Sequence, residues 1–314
     1  MMLALSLGCK NDIDINAPYK DVAIVYGFLD QNQATQYIRI EKLYQNSSTT
    51  STAEGAKFAD SLYFDSLVVK LINITSKDTF LCHRVDSIPK DSGFFSSAIN
   101  AFYACTFPKN NAANEVFQLD IYYPKKKAHF YSKTQLVKDA VIEPRKIVMK
   151  LVPTNHTFPF RFTTGRNGYL YDLSVKYTYK EMNAADQSKY TFKSIDYNIV
   201  KSNAYDPEKF YTHSISSRQY IDYLKSQIPE DNSKVRTTVS ITYQTYGGSQ
   251  EFQTMLDLSK PNLTVVQKNP LFSNIEPAQY GIGIFTSRNF TERDMEIDPN
   301  TIILLGQELP NFID

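Results

Sequence analysis

Tryptophan is absent from this 314-residue sequence, and glycine and proline are scarce, with 11 and 14 residues. That composition excludes collagen-like and low-complexity chains, which are rich in glycine and proline. No run of 18 apolar residues occurs, so we expect no transmembrane helix. The 34 basic and 33 acidic residues nearly cancel, which leaves no positive surplus for nucleic acid and predicts no nucleic-acid partner.

Catalytic and metal-binding motifs are also missing. No two of the four histidines have the i, i+2 or i, i+4 spacing of a metal-binding pair. There is no Gly-x-Ser-x-Gly elbow and no phosphate-binding loop, and the pair Gly281 and Gly283 lacks the third glycine of a dinucleotide fingerprint. The sequence therefore predicts no catalytic residue, no metal site and no cofactor, and it leaves the ligand-binding residues unknown.

Strand-forming residues are abundant, with 22 Tyr and 20 Phe. Residues 169–179 alternate apolar and polar side chains, with Tyr171, Val175 and Tyr177 on one face. This period of two is typical of an antiparallel strand with one solvated face. A second run at 190–197 completes a predicted hairpin. We therefore predict an all-β, mainly antiparallel fold.

The N-terminal residues resemble the end of a bacterial lipoprotein signal peptide. An apolar run ends in Gly8 and is followed by Cys9 and then by polar residues. The resemblance implies that Cys9 is the lipid attachment site, with an ordinary apolar N-terminus as the alternative. The run lacks the basic residues and the length of a full signal peptide, which a start codon further upstream would explain.

The residues after Cys9 resemble the surface-export signal of Bacteroidetes lipoproteins. That signal is a lysine followed by acidic residues, which here are Lys10, Asp12 and Asp14. A solvated linker is the alternative interpretation. Acyl chains contribute about 0.8 kcal/mol of membrane binding per buried methylene, so two or three of them would anchor an otherwise water-soluble protein.

Length suggests two domains, at roughly 150 residues each. We assign residues 1–16 to a lipoprotein signal remnant and linker. Residues 17–137 are predicted to form a β-sandwich of immunoglobulin-like or transthyretin-like type. Residues 138–314 are predicted to form a β-rich second domain with one helix near 207–228.

Two local signals fall within this second domain. Asp206 can cap the predicted helix and Pro207 suits its first position, while Pro229 ends it. Gly247 and Gly248 predict a tight turn that leads into a strand at 252–258.

Three cysteines occur in the chain. If a lipid occupies Cys9, Cys82 and Cys105 remain as an even pair in two predicted strands. In an exported protein such a pair can form a disulfide, and buried free thiols are the alternative. Neither cysteine has a second Cys or a His at metal-ligand spacing, apart from the adjacent His83.

Several segments together resemble a family of uncharacterised Bacteroidetes outer-membrane lipoproteins whose genes neighbour TonB-dependent transporters. The segments are residues 25–30, 37–42, 88–95, 269–275 and 281–288, and the chain departs from the family pattern at 276–280. The resemblance implies a lipid-anchored protein, exposed on the cell surface or facing the periplasm, beside a nutrient-uptake system. It brings no catalytic residues with it.

We therefore expect a non-enzymatic binding lipoprotein of the outer membrane that helps to deliver an unknown nutrient ligand to a TonB-dependent transporter. A structural or adhesive surface lipoprotein is the first alternative. The second is a hydrolase whose carboxylates come together in space from distant parts of the chain.

Overall fold

A computed structural model describes residues 22–43, 62–88, 100–107, 115–144, 148–154, 156–259 and 272–313. Within these residues the strands are β1 (Ala23–Asp30), β2 (Thr35–Lys42), β3 (Val68–Asn73), β4 (Thr79–Val85), β5 (Phe102–Thr106), β6 (Val116–Tyr123), β7 (Ala128–Gln135), β8 (Val141–Glu143), β9 (Val148–Met149), β10 (Thr157–Thr163), β11 (Leu170–Asn183), β12 (Asp186–Ala204), β13 (Phe210–Ser216), β14 (Lys234–Gly248), β15 (Gly281–Asp294) and β16 (Glu296–Ile297). The helices are α1 (Ser217–Gln227), α2 (Gln250–Ser259) and α3 (Pro299–Glu308), with a short 3-10 helix at Pro124–Lys126.

Eleven strands form one continuous hydrogen-bonded sheet, in the order β12-β11-β14-β15-β1-β2-β5-β4-β3-β6-β7. Its neighbouring strands run antiparallel except β1 and β15, which are parallel. A second sheet has the order β13-β10-β8. The predicted all-β, mainly antiparallel and sandwich-like fold is therefore confirmed.

The first hydrophobic core lies among strands β1 to β7. The alternation of side chains along each strand places one set of residues in this core. In β6, for example, the buried residues Phe117, Leu119 and Ile121 alternate with half-buried ones. Phe107 stacks on Phe117 with ring centroids 5.0 Å apart. Because each strand turns one face inward, these residues form a continuous apolar interior.

A disulfide joins Cys82 on β4 to Cys105 on β5, with their Cα atoms 4.3 Å apart. The neighbouring pair His83 and Ala104 fixes the register of these antiparallel strands, and one step along that register brings the two cysteines opposite each other. Both sulfurs lie in the first core, since Cys82 is 6% exposed and Cys105 is fully buried.

The second hydrophobic core is largely aromatic. Phe158, Phe160 and Phe162 of β10 point into it. The Phe160 ring stacks on Tyr243 of β14 at 4.4 Å. From α1, the fully buried Tyr220 packs edge-to-face on Phe158. The three-stranded sheet, α1 and α3 thus bury the inner faces of β11 and β14.

The two cores meet near residues 136–140, because Leu136 belongs to the first core and Ala140 to the second. The chain then returns to the first core near its C-terminus, where Ile275 and Phe285 pack among the N-terminal strands. Strand β15 follows Ile275, so it serves both halves of the molecule.

Glycine makes this return possible. Gly283 has a φ of +122°, and a Cβ there would lie 2.1 Å from the Val25 carbonyl oxygen of β1. Only glycine adopts that backbone conformation without strain. A Cβ on Gly281 would lie 2.8 Å from Ile275 Cγ2 and 2.9 Å from Phe130 Cδ2, so both glycines, which fail as a dinucleotide fingerprint, serve close packing.

The helix predicted near 207–228 begins later than expected, at Ser217. Ser216 is its N-cap, and its hydroxyl accepts a hydrogen bond from the Gln219 N–H at 3.4 Å. The prediction of a helix from Pro207 is wrong because Glu208 has a φ of +56°, which a right-handed helix excludes. Most of the residues between Glu208 and the start of α1 form strand β13, and every residue of β13 is paired with β10.

The predicted turn at Gly247 and Gly248 is also wrong, as is the strand expected at 252–258. Strand β14 continues through both glycines, which pair with β11, and the next residues form helix α2. With α3, the described part of the second half holds three helices where one was expected. None of the helices in these residues is long and apolar enough to cross a bilayer.

A buried ion pair fixes the C-terminal residues to β14. Arg236 is 1% exposed, and its Nε donates to the Glu181 Oε2 at 2.9 Å. Its Nη1 donates to the Pro310 carbonyl oxygen, also at 2.9 Å. Burial opposes ionisation of Glu181, but hydrogen bonds from Lys193 and Arg236 prevail and lower its pKa. The segment that follows α3 is thereby fixed against the second core.

Reduction of the Cys82–Cys105 disulfide tests how far this link stabilises the first core. It closes a loop with a sequence separation of 23, so we expect its loss to lower the free energy of unfolding by about 2–4 kcal/mol. Urea denaturation with and without a reductant measures the change. The double variant C82A/C105A is the control and should not respond to reductant. Identical wild-type curves in both conditions would contradict the prediction.

Candidate functional site

A pocket lies where β15 changes partners. Arg288 is the last residue of β15 paired with β1, opposite Asp30, and it also pairs with Gly248 at the end of β14. The strands on the two sides of this point belong to different cores. A cavity of about 400 Å³ lies beside this point.

Six elements contribute its walls, namely β1, β11, β12, β14, β15 and α2. The side chains that give it its character are three charged residues and three aromatic ones: Asp30, Asp172, Arg288, Tyr246, Phe252 and Phe290. Apolar walls with a few convergent polar groups are typical of small-molecule sites.

Two glycines bring the walls close together. A Cβ on Gly247 would lie 2.9 Å from Tyr171 Cε1, and one on Gly248 would lie 2.6 Å from Phe252 Cδ1. Any larger residue would displace these rings. The glycine pair of β14 therefore allows Phe252 of α2 to approach the sheet and close one side of the pocket.

Aromatic rings form part of the pocket wall. Tyr246 and Phe290 are neighbours in register on β14 and β15, with ring centroids 4.6 Å apart. Tyr246 is 49% exposed. Burial, with the negative charges of Asp196, Glu292 and Asp172, raises its pKa, so its hydroxyl remains a donor at neutral pH. The two rings are tilted by 35° to each other, and the pair offers apolar ring surface with one polar tip.

The charged residues are held by the surrounding strands. The Asp30 Oδ1 accepts a hydrogen bond from the Asn32 N–H at 2.9 Å. Burial raises the Asp30 pKa, although the Asn32 N–H and the nearby Arg288 oppose the shift. Across the pocket, the Asp172 Oδ1 accepts from the Ser202 N–H at 2.5 Å. Both carboxyl groups are therefore fixed in position before any ligand arrives.

A polar cluster next to the pocket joins the two halves of the chain. The Asp139 Oδ1 accepts hydrogen bonds from the side-chain amides of Gln31, Asn32 and Asn289, at 2.8–2.9 Å. Lys138 Nζ donates to Gln31 Oε1 at 2.7 Å. Because Asn289 also lines the pocket, the cluster links the ligand site to the segment between the two cores.

The sequence-predicted sites lie elsewhere. Cys9, Lys10, Asp12 and Asp14 fall outside the described residues. The two linked cysteines lie inside the first core and do not line the pocket. In the part of the chain that the structure describes, no group of three or more His, Cys, Asp or Glu residues could hold a metal ion.

Sequence reasoning missed the pocket residues, because they are far apart in the chain. Asp30 of β1 and Arg288 of β15 are paired in register although they are 258 residues apart in the sequence. The preceding pair is also in contact, since the Ser287 hydroxyl donates a hydrogen bond to the Leu29 carbonyl oxygen. The glycine pair of β14 is the one local signal, since it marks a close approach of backbone and side chains.

Comparisons with known proteins add little to this geometry. No protein-family model matches the chain, and no curated protein matches it in sequence. Among solved structures, the calcium-binding domain CBD12 of CALX1.1 aligns with 87% of this chain and 99% of its own, at 8% identity and a TM-score of 0.19. A similarity this weak carries no argument, and the resemblance to Bacteroidetes lipoproteins stays a prediction.

Replacement of Asp30 by Asn tests the burial of this carboxyl group. Burial raises its pKa above the ordinary value of 3.8, so the folded state favours the protonated form. That contribution to stability is complete at pH values below the ordinary pKa and is lost as the pH rises through the raised one. We expect the wild type to lose stability relative to D30N as the pH rises above the ordinary value of 3.8, measured by urea unfolding.

Asp186→Asn is the matched control for this series. Hydrogen bonds from Ser188 and Lys189 lower the pKa of the exposed Asp186, so the wild type should gain stability relative to D186N as the pH rises. If the wild type also gains over D30N, the argument from burial fails.

Proposed function

We propose that this protein is a lipid-anchored binding protein of the outer membrane, which holds a small polar nutrient in the pocket between its two cores. The observation that carries the proposal is the pocket itself. It combines the aromatic pair of Tyr246 and Phe290 with Arg288 and two carboxyl groups held in place by backbone N–H groups. Such a site is preorganised, so little ordering cost is left for binding.

The chemistry of the walls supports a ring-shaped polar ligand. Apolar ring faces would lie on Tyr246 and Phe290, while hydroxyl or amide groups at the ligand edge would reach Arg288, Asp30 and Asp172. The charges of both signs in one small pocket argue against a strongly charged ligand, which would face repulsion from one set of them.

The sequence supports the anchor and the location. Cys9 after an apolar run is the proposed acylation site, and Lys10, Asp12 and Asp14 form the proposed export signal. The family resemblance supports a TonB-dependent transporter as the partner that receives the ligand. In this arrangement the lipid holds the binding domain beside the transporter, which raises the effective concentration of ligand there.

A carboxylate-based hydrolase is the second candidate, because Asp30 and Asp172 line the same pocket. The raised pKa of Asp30, caused by burial, favours the protonated form that a general acid needs. If the ligand is released from the protein chemically unchanged, the binding function is favoured over hydrolysis. Turnover that is lost in D172N would favour hydrolysis.

Expression in a Bacteroidetes host tests the anchor. We expect the mature N-terminus to be an acylated Cys9, identified by mass spectrometry, and a TonB-dependent transporter to co-purify in detergent. The C9S variant should be released from the membrane fraction. A wild-type protein with a bare Cys9 sulfur or an intact Met1 would refute the anchor.

The pocket is tested by native mass spectrometry of the protein purified gently from the same host. We expect a retained small molecule, which Tyr246→Ala should lose or hold at least about tenfold more weakly. Tyr190→Ala is the matched control, because Tyr190 is 51% exposed on β12 and does not line the pocket. Equal ligand occupancy in Y246A and wild type would refute the pocket as the binding site.

A further inference from the structure

A row of aromatic side chains crosses the outer face of the N-terminal strands beside the pocket. It consists of Tyr26 and Phe28 on β1, Tyr37 on β2 and Phe102 on β5, and we call it the aromatic strip. Tyr26 is 45% exposed and Tyr37 is 49% exposed, while the two phenylalanines are half-buried. A contiguous exposed patch of this kind marks an interaction surface.

Strand register holds the members of the strip together. Tyr26 lies opposite Arg39 on the neighbouring strand β2. Tyr37 packs edge-to-face on Phe102 at 6.4 Å, and the Arg39 guanidinium lies 5.9 Å from the centre of the Phe102 ring. Arg39 in turn forms an ion pair with Glu41, with 2.5 Å between Arg39 Nη2 and Glu41 Oε1. Apolar rings and a neutralised pair of charges thus share one face.

The strip is continuous with the pocket. The rings of Phe28 and Phe252 pack edge-to-face with their centroids 5.3 Å apart. The Arg288 guanidinium lies 6.0 Å from the centroid of the Phe28 ring. Both Phe252 and Arg288 line the pocket. Asp30, another pocket residue, is two positions beyond Phe28 and so lies on the same face of β1.

We propose that the ligand is a neutral oligosaccharide, with one end in the pocket and the rest along the aromatic strip. This proposal rests on the proposed function, because it extends the same pocket. Sugar rings would place their C–H faces on Tyr26 and Tyr37. Their hydroxyl groups would bond to Arg39 and Glu41, whose side chains are 30% and 20% exposed and offer donor and acceptor positions of both kinds.

The sheet geometry favours a glycan over a peptide. Strands β1, β2 and β5 are each paired on both sides, so their backbone N–H and C=O groups are already bonded within the sheet. A peptide lying across this face would find no backbone partners for its own amides, and unpaired amides weaken binding. A glycan has hydroxyl groups only at its rim and needs only side-chain partners.

The local charges favour a neutral glycan over an acidic one. Arg39 is paired with Glu41 on the strip. In the pocket, Arg288 lies with two carboxyl groups, Asp30 and Asp172. Neither region has a surplus of positive charge that would compensate the desolvation of sulfate or carboxylate groups.

Calorimetric titration of the full chain tests the proposal with malto-, cello-, xylo- and manno-oligosaccharides of increasing length. We expect one series to bind, with a hexasaccharide at least about tenfold tighter than its disaccharide. Tyr37→Ala should weaken the hexasaccharide about tenfold and leave the disaccharide unchanged, because only the longer chain reaches the strip. Tyr246→Ala should weaken both.

Two variants separate stacking from folding. Tyr37→Phe keeps the ring and should bind the hexasaccharide like the wild type, and Tyr190→Ala, on the exposed strand β12, should change neither affinity. Equal affinities for long and short sugars would overturn the role of the strip while leaving the pocket intact. If none of the four oligosaccharide series binds, or if a tryptic casein peptide mixture binds instead, the proposal of a glycan ligand is overturned. The proposal that the pocket binds a small molecule is tested independently, by the ligand retained from the host.

Discussion

Strand β15 is shared by two hydrophobic cores, and the arrangement of the molecule depends on this sharing. Its first part runs parallel to β1 and its second part antiparallel to β14. The close approach to β1 requires Gly283, where any side chain would collide with the Val25 carbonyl. Because one rigid strand is hydrogen-bonded in both halves, neither half can move far from the other without breaking its ladder.

The pocket follows from this change of partners. At Arg288 the sheet passes from strands that pack in the first core to strands that pack in the second, and residues from both sides line the cavity. The polar cluster around Asp139 joins the pocket residue Asn289 to the segment between the two cores, and the aromatic strip is continuous with the pocket through Phe28. Position in the fold therefore gives these residues a shared site that no one segment contains.

Local sequence patterns predicted local structure well where one face of a strand is buried. The hairpin of β11 and β12 follows from alternation, because a period of two matches the two faces of a sheet. The same reasoning failed at 207–216, where the positive φ at Glu208 and pairing with β10 outweigh the capping signals. It also failed at α2, a short apolar run that suits either a strand or a helix.

The sequence by itself determined the β-rich class, the balanced charge and the alternating strands, since these depend on composition and on neighbours one or two residues apart. Only the tertiary structure decided that Cys82 lies opposite Cys105, that β15 returns to the first core and that Asp30 meets Arg288. Such contacts join distant parts of the chain. They depend on which strands pair and in what register, and a local pattern carries no information about its partner.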